Sequence, residues 1–272
     1  MEPVSLQENQ YTPLKTASSL QYLRLLPGEG AIHSNTEYAD PIHCDIFEAT
    51  VEDAVSYTAL SYVWGTDDAS KTISCNGSSY LTIRPNLYNA LCRIRDFREA
   101  RILWVDAICI DQSNVSERNH QVAQMTQIYS NAGKLSVSLG LDDGKKTVLT
   151  IMLVKRLAAK EKNGGTSTEL VPGVVTTHAS KRLLLKFLET IWLKRTWVIQ
   201  ERVLGLEMEG DSATEILVGP YTLLWSELYR CCETVKERVY DLYTNFDLSD
   251  VEAIKIAADR ILFVHRFIAV NY

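Results

Sequence analysis

The sequence has no apolar run able to cross a bilayer. Its longest candidate, residues 148–154, falls far short of the roughly 20 residues that a spanning helix needs. It has no excess of positive charge either. Lys and Arg number 28 against 34 Asp and Glu, for a net charge of −6, which excludes the basic patch or arm of a nucleic-acid binder. The first 30 residues carry Glu2, Glu8 and Glu29 and lack the continuous apolar segment of a secretory signal. The six cysteines (Cys44, Cys75, Cys92, Cys109, Cys231 and Cys232) show no metal-ligand spacing. They read as small buried side chains of a reduced, intracellular protein, with the adjacent Cys231 and Cys232 as two separate helix positions. His33, His43 and Asp45 are fixed in no ligand geometry and read as loop residues, so no metal is expected. There is no G-x-G-x-x-G of a dinucleotide-binding dehydrogenase, and no G-x-S-x-G surrounds Ser61 to mark a hydrolase nucleophile. What remains is an ordinary globular composition, 46% apolar and 23% charged, in one large domain or two small ones.

The most informative stretch is residues 103–140. Leu103, Val105, Ile108 and Ile110 surround Asp106 and Asp111 in a run that suits a strand buried on both faces. A carboxylate near the carboxyl end of such a strand stands where open α/β sheets bind ligands. A helix is predicted next, with Asn114 as N-cap and Glu117 reaching back to complete a capping box. Val122, Met125, Ile128, Tyr129 and Ala132 form its apolar stripe, and Gly133 ends it. Leu135, Val137 and Leu139 then alternate with serines in a second strand, so the stretch is a βαβ unit. Glu117 and Arg118 sit close to Asp111 and Gln112. Each has two readings, a cap and a solvated charge or a pair of site residues.

Elsewhere the pattern is clear in outline. Residues 1–18 are polar and read as a loose leader. Residues 20–26 (LQYLRLL) and 43–49 read as strands, and residues 57–65 (YTALSYVWG) as a buried strand ending at a Gly turn with Trp64 beside it. Asn76-Gly77 predicts a hairpin within residues 71–83, and Pro85 opens a helix. After Gly140 the pattern changes. Residues 147–162 form a helix, 163–177 a long Gly/Thr/Ser-rich loop that reads as a lid, and 178–188 another helix. Residues 192–201 (WLKRTWVIQE) place Trp197 and Glu201 four apart on one helix face, with Arg195 nearby. Residues 215–219 read as a strand, and 225–243 and 251–267 as helices.

Four of these segments, residues 57–65 (YTALSYVWG), 103–112 (LWVDAICIDQ), 117–132 (ERNHQVAQMTQIYSNA) and 195–201 (RTWVIQE), resemble in order and spacing the fungal heterokaryon-incompatibility (HET) domain. The flanks at Tyr22–Leu26 and 215–225 fit as well, so the resemblance covers roughly residues 20–230. Asp111 stands where the family often shows Asn, a change that keeps a hydrogen-bond acceptor. The resemblance implies a cytoplasmic effector of vegetative incompatibility that triggers programmed death of fused cells. It also implies self-association, and an upstream sensor or amyloid-signalling partner. HET domains are in turn distantly similar to TIR domains. Ser61-Tyr62 resembles the Ser-aromatic pair of the first TIR strand. Trp197 to Glu201 has the Trp-to-Glu spacing of NAD-cleaving TIR domains, with Val198 in place of a Cys. By that likeness Glu201 is the catalytic residue. Ser61, Tyr62, Trp64, Gly65, Asp106, Asp111, Glu117, Arg118, Arg195 and Trp197 would line a nucleotide site, with NAD as substrate and no bound cofactor.

The implied fold is α/β, a small, mostly parallel sheet flanked by helices as in TIR and flavodoxin-like proteins. A hairpin is added, and residues 231–272 form a C-terminal helical extension packed on the domain. The implied chemistry is cleavage of the nicotinamide–ribose bond. A carboxylate beside the ribose holds its hydroxyls and stabilises the oxocarbenium-like centre, while nicotinamide leaves as a neutral group. Trp197 or Trp64 would pack on a ring, and Arg195 or Arg118 would face the pyrophosphate. The rival reading is a non-enzymatic death module that assembles or recruits partners, with the same charged residues in structural ion pairs. A weaker third reading is a cysteine hydrolase using Cys109 and His120.

Overall fold

In a computed structural model, described for residues 7–28, 41–50, 53, 55–140, 144–159, 178–189, 214–242 and 248–271, the chain forms two compact units, Met1–Gly140 and Leu141–Tyr272. The division falls where the sequence pattern changes. The first unit is built on strands β1 (Gln7–Glu8), β2 (Ser19–Leu25), β3 (His43–Thr50), β4 (Thr58–Tyr62), β5 (Lys71–Cys75), β6 (Ser79–Ile83), β7 (Arg101–Trp104) and β8 (Lys134–Ser138). They lie in the order β1-β6-β5-β3-β2-β7-β4-β8. Its helices are α1 (Pro85–Ile94), α2 (Asp106–Cys109) and α3 (Val115–Ser130). The class is α/β, as expected. The run β7–β4–β8 is parallel. Beyond it, β2 runs antiparallel to both β7 and β3, and the β5–β6 hairpin adds a further antiparallel pair, so the sheet is mixed.

Local chemistry explains the elements. Asn76 and Gly77 both adopt positive φ, 51° and 68°, the conformation of a type I′ turn, whose twist matches the strands it joins. Pro85 occupies the first position of α1, where its missing N–H costs nothing. Register places Tyr22, Phe47, Trp104 and Ala59 on one sheet face. Tyr22 packs against Phe47 and Tyr57. α3 covers this face through Tyr129, whose ring meets that of Trp104, and through the Ile128 carbonyl, which accepts from the Tyr57 hydroxyl at 2.5 Å.

Three expectations are corrected. The strand through Ile110 stops at Trp104, and Asp106–Cys109 forms one helical turn. The Asp106 carboxylate accepts from the Ala107 amide at 2.8 Å, and the Cys109 amide bonds back to the Val105 carbonyl at 2.7 Å. A short apolar run suits a buried turn as well as a strand. On α3, Val122 is exposed and Gln121 is buried in the stripe. There Gln121 Nε2 donates to the Ser19 carbonyl at 3.3 Å. The stretch expected to be a loose leader is tied down from Gln7 onward. β1 pairs with β6, the Tyr11 hydroxyl donates to the Ile108 carbonyl at 2.8 Å, and Gln124 Nε2 donates to the Ala17 carbonyl at 2.9 Å.

The second unit contains α4 (Lys145–Ala159), α5 (His178–Leu188), strands β9 (Thr214–Val218) and β10 (Tyr221–Leu224), α6 (Trp225–Leu242) and α7 (Leu248–Asn271). β9 and β10 pair antiparallel around Gly219, at φ 51°. α4 packs on α5 and α6, and α7 on α5 and α6. Leu153, Val154, Leu157, Leu228, Cys231, Cys232, Ile254 and Ala258 are buried. Residues 231–242 continue α6, so the expected boundary at residue 230 falls inside a helix. No helix of the described residues is long and apolar enough to cross a membrane.

Candidate functional site

β4 and β7 run parallel and side by side, so their carboxyl ends open on the same edge of the sheet. That geometry brings Trp64 to Asp106, 42 residues apart in sequence, with the indole Nε1 donating to Asp106 Oδ2 at 3.0 Å. The other Asp106 oxygen accepts from Ala107 at the start of α2. A carboxylate is favoured there because the first amides of a helical turn point at it. The Asp106 carbonyl accepts from Gln112 Nε2 at 2.7 Å, which ties the loop after α2 to the turn before it.

A second layer comes from the start of α1. Arg84 Nη1 donates to the Gly65 carbonyl at 2.7 Å, and its guanidinium carbon lies 5.9 Å from the centroid of the Trp64 ring, within cation–π range. Asn86 Nδ2 donates to the Val63 carbonyl at 3.0 Å. Gly65 has φ 76°, and a Cβ there would stand 2.7 Å from Asn86 Nδ2. The positive φ favours glycine at this position, and a Cβ would also have to displace the Asn86 amide.

The Asp111 loop closes on itself. Asp111 Oδ1 accepts from the Ser113 amide at 3.0 Å and from its hydroxyl at 2.6 Å. Asn114 caps α3 through the Glu117 amide, as expected. Glu117, however, reaches past Asn114 to the Asp111 amide at 3.1 Å, because the Asn114 amide is already bonded to the Asp111 carbonyl at 3.1 Å. Arg118 Nη1 donates to the Gln112 carbonyl at 3.3 Å and is otherwise exposed. Behind this loop, burial raises the Tyr11 phenol well above its ordinary value, with its neighbours Cys109, Asp111, Cys75 and Glu117 adding to it.

The structure therefore brings together Trp64, Gly65 and Asp106, with the Asp111–Arg118 loop following directly on α2. Ser61 and Tyr62 lie in the buried interior of β4, in register with Val137 and Ser138, and hold the strand in place. Arg195, Trp197 and Glu201 lie outside the described residues, as do the loop at residues 163–177 and both His33 and most of the strand-flanking segment before Pro41. Sequence reading missed Arg84 and Asn86, whose roles depend on a contact across the sheet edge, and Gln112, whose bond to Asp106 is local to the turn after β7. The only local signal was the position of Arg84 and Asn86 on either side of the helix-opening Pro85. The cysteine-hydrolase reading is not supported. Cys109 is fully buried, its thiol is pushed up to about 12 by burial, and His120 sits exposed on α3 with Nε2 2.8 Å from the Ala17 carbonyl. Among the described residues no three His, Cys, Asp or Glu side chains are grouped as a metal site.

The site's segments, β4 with Trp64-Gly65, the β7–α2 turn with Asp106, and α3, fall within residues 57–201, which match the family model described as Heterokaryon incompatibility protein (HET). The chain belongs to the HET family. It is similar to Heterokaryon incompatibility protein 6, OR allele, of Neurospora crassa, with 28% identity over 228 residues. The aligned part is 70% of this chain and 33% of the relative, so the HET chain described here spans about a third of that relative's length. No solved structure matches it.

Proposed function

We propose that the chain acts in fungal heterokaryon incompatibility as a death-triggering effector, and that it does so by hydrolysing NAD at the nicotinamide–ribose bond. The observation that carries the role in incompatibility is the HET match across residues 57–201. The NAD reading is supported by a polar cluster of indole, guanidinium and carboxylate at the carboxyl edge of parallel strands, where α/β sheets take nucleotides. In the reaction the C1′–N bond breaks with its electron pair leaving on nicotinamide, which loses its positive charge. A water oxygen bonds to C1′, and its proton passes to a carboxylate, assigned to Glu201 by the Trp197–Glu201 spacing. The protein acts in the cytoplasm and self-associates, with an upstream sensor or amyloid-signalling protein as partner.

A second reading has its own support. Asp106 spends both carboxylate oxygens, and Asp111 and Glu117 one each, on internal hydrogen bonds, as expected if these side chains serve the fold of a module that works by assembly. The deciding measurement is nicotinamide release from NAD by concentrated protein, wild type against Glu201→Ala, with circular dichroism to check folding. Release that drops by a factor of roughly a hundred or more in the folded variant supports the glycohydrolase. Release that persists moves the site to Asp106, Asp111 or Glu117. No release at any concentration, with cell death intact, supports the assembly module.

A further inference from the structure

Cys44 and Cys75 are 31 residues apart in sequence, yet they are directly opposed partners in the parallel pairing of β3 and β5. Both are buried and reduced. We propose that this pair is an oxidation site, at which the two thiols form a reversible intramolecular disulfide with hydrogen peroxide as oxidant.

Adjacent strands hold opposed Cα atoms about 5 Å apart, inside the range of about 4.4–6.8 Å that a disulfide spans. The neighbouring Cys44 lowers the Cys75 thiol. Cys44, whose thiol donates to the Ser74 carbonyl at 3.3 Å, is raised by the neighbouring Cys75 and by burial. Cys75, the lowered thiol of the two, is the nucleophile, and Cys44 the resolving thiol. Access comes from the shortness of the joint. β3 and β5 share only two paired positions, His43↔Ser74 and Cys44↔Cys75, supported by the Asn76 amide to Cys44 carbonyl bond at 2.9 Å and the Ile46 amide to Asn76 Oδ1 bond at 2.8 Å. A ladder this short opens locally without global unfolding.

The chemistry balances. The Cys75 sulfur attacks one peroxide oxygen, the O–O bond breaks, and hydroxide leaves and takes a proton to become water. Cys75 is then a sulfenic acid. The Cys44 sulfur attacks the Cys75 sulfur, the S–S bond forms, the S–O bond breaks, and a second water leaves with the Cys44 proton. The two thiols together lose two electrons, and peroxide gains them. A bond that must draw adjacent strands slightly together is strained, and strained disulfides are the readily reduced ones. Oxidation would staple the β5–β6 hairpin to the sheet. The hairpin leads directly into Arg84 and Asn86, which hold the Gly65 and Val63 carbonyls.

The test is peroxide treatment of the full chain, trapping with an alkylating agent, and mapping of linked peptides by mass spectrometry without reduction. The expected result is loss of two of the six alkylatable thiols, a Cys44–Cys75 link, and its reversal by dithiothreitol. The link should persist in Cys92→Ser and vanish in Cys75→Ser. Six alkylatable thiols remaining in oxidised wild type, overoxidation without a link, or a link between other cysteines would overturn the proposal. Because the wild-type map decides, a variant that fails to fold leaves the test intact.

Discussion

Gly65 and Gly77 look alike in sequence and in backbone, both at positive φ, but a side chain at each would meet different surroundings. A Cβ on Gly77 meets nothing within 4 Å, whereas one on Gly65 stands 2.7 Å from Asn86 Nδ2. Gly77→Ala should therefore cost only the strain of a left-handed residue, about 1–2 kcal/mol. Gly65→Ala should cost more, because Asn86 must also give up its bond to the Val63 carbonyl. Urea denaturation of the two variants reads the difference, and equal costs would mean that Asn86 moves freely. The Trp64–Asp106 bond is open to the same kind of measurement. Trp64→Phe removes the donor, and Asp106→Asn weakens the acceptor. A double-mutant cycle should give a coupling of about 1.5–3 kcal/mol, the range for hydrogen bonds to a charged group. A coupling near zero would mean that the two side chains are neighbours without being partners.

At the scale of elements, α3 shows how a cap and a buried face are specified separately. Its N-terminus was legible, since Asn114 accepts from the Glu117 amide at 3.2 Å. Asn114→Ala should lower stability by about 1 kcal/mol in chemical denaturation. Glu117→Ala should loosen the Asp111 loop as well, because Glu117 Oε1 accepts from the Asp111 amide, and hydrogen exchange at that amide should accelerate. The buried face of α3 was less legible. Gln121 is buried and Val122 exposed, the reverse of what polarity suggests. The reason is that carbonyls of the segment entering β2 need donors, and the Gln121 amide supplies one. The turn at Asp106–Cys109 was hidden for a related reason. Within an unbroken apolar run, the only cue to helix over strand is a backbone bond from residue 109 to residue 105, which periodicity over four residues does not register.

For the whole molecule, the buried thiols and phenols set the response to alkaline pH. Burial raises Cys92 to about 11, and Cys109 and Cys231 to about 12, and raises Cys232 as well. Tyr22 is raised to about 12 by burial, and Tyr11 and Tyr57 are raised in the same way. In the unfolded chain these groups titrate near about 8.5 for cysteine and about 10 for tyrosine. The folded pKa lies above the unfolded one, so the stability tied to each neutral group is fully present below the unfolded pKa and falls as pH rises towards the folded value. Within that window each group contributes a slope of about 1.4 kcal/mol per pH unit. Urea midpoints should therefore hold steady below about pH 8 and fall progressively from about pH 9 upward. A flat profile to pH 10 would mean that these thiols ionise in the folded state. Single Cys109→Ala and Cys231→Ser variants assign the slope.

The sequence by itself determined the α/β class, the hairpin at Asn76-Gly77, the starts of α1 and α3, and membership of the HET family. Each of these rests on local backbone chemistry or on ordered motifs that stay visible in one dimension. Tertiary structure alone decided that the sheet is mixed, that the segment from Gln7 onward is anchored to it, and that Arg84 and Asn86 join Trp64 and Asp106 at the site. It also decided that Cys44 and Cys75 face each other across β3 and β5. Those arrangements follow from which strands become neighbours. That choice is made by burial summed over the whole sheet, and no window of sequence carries it.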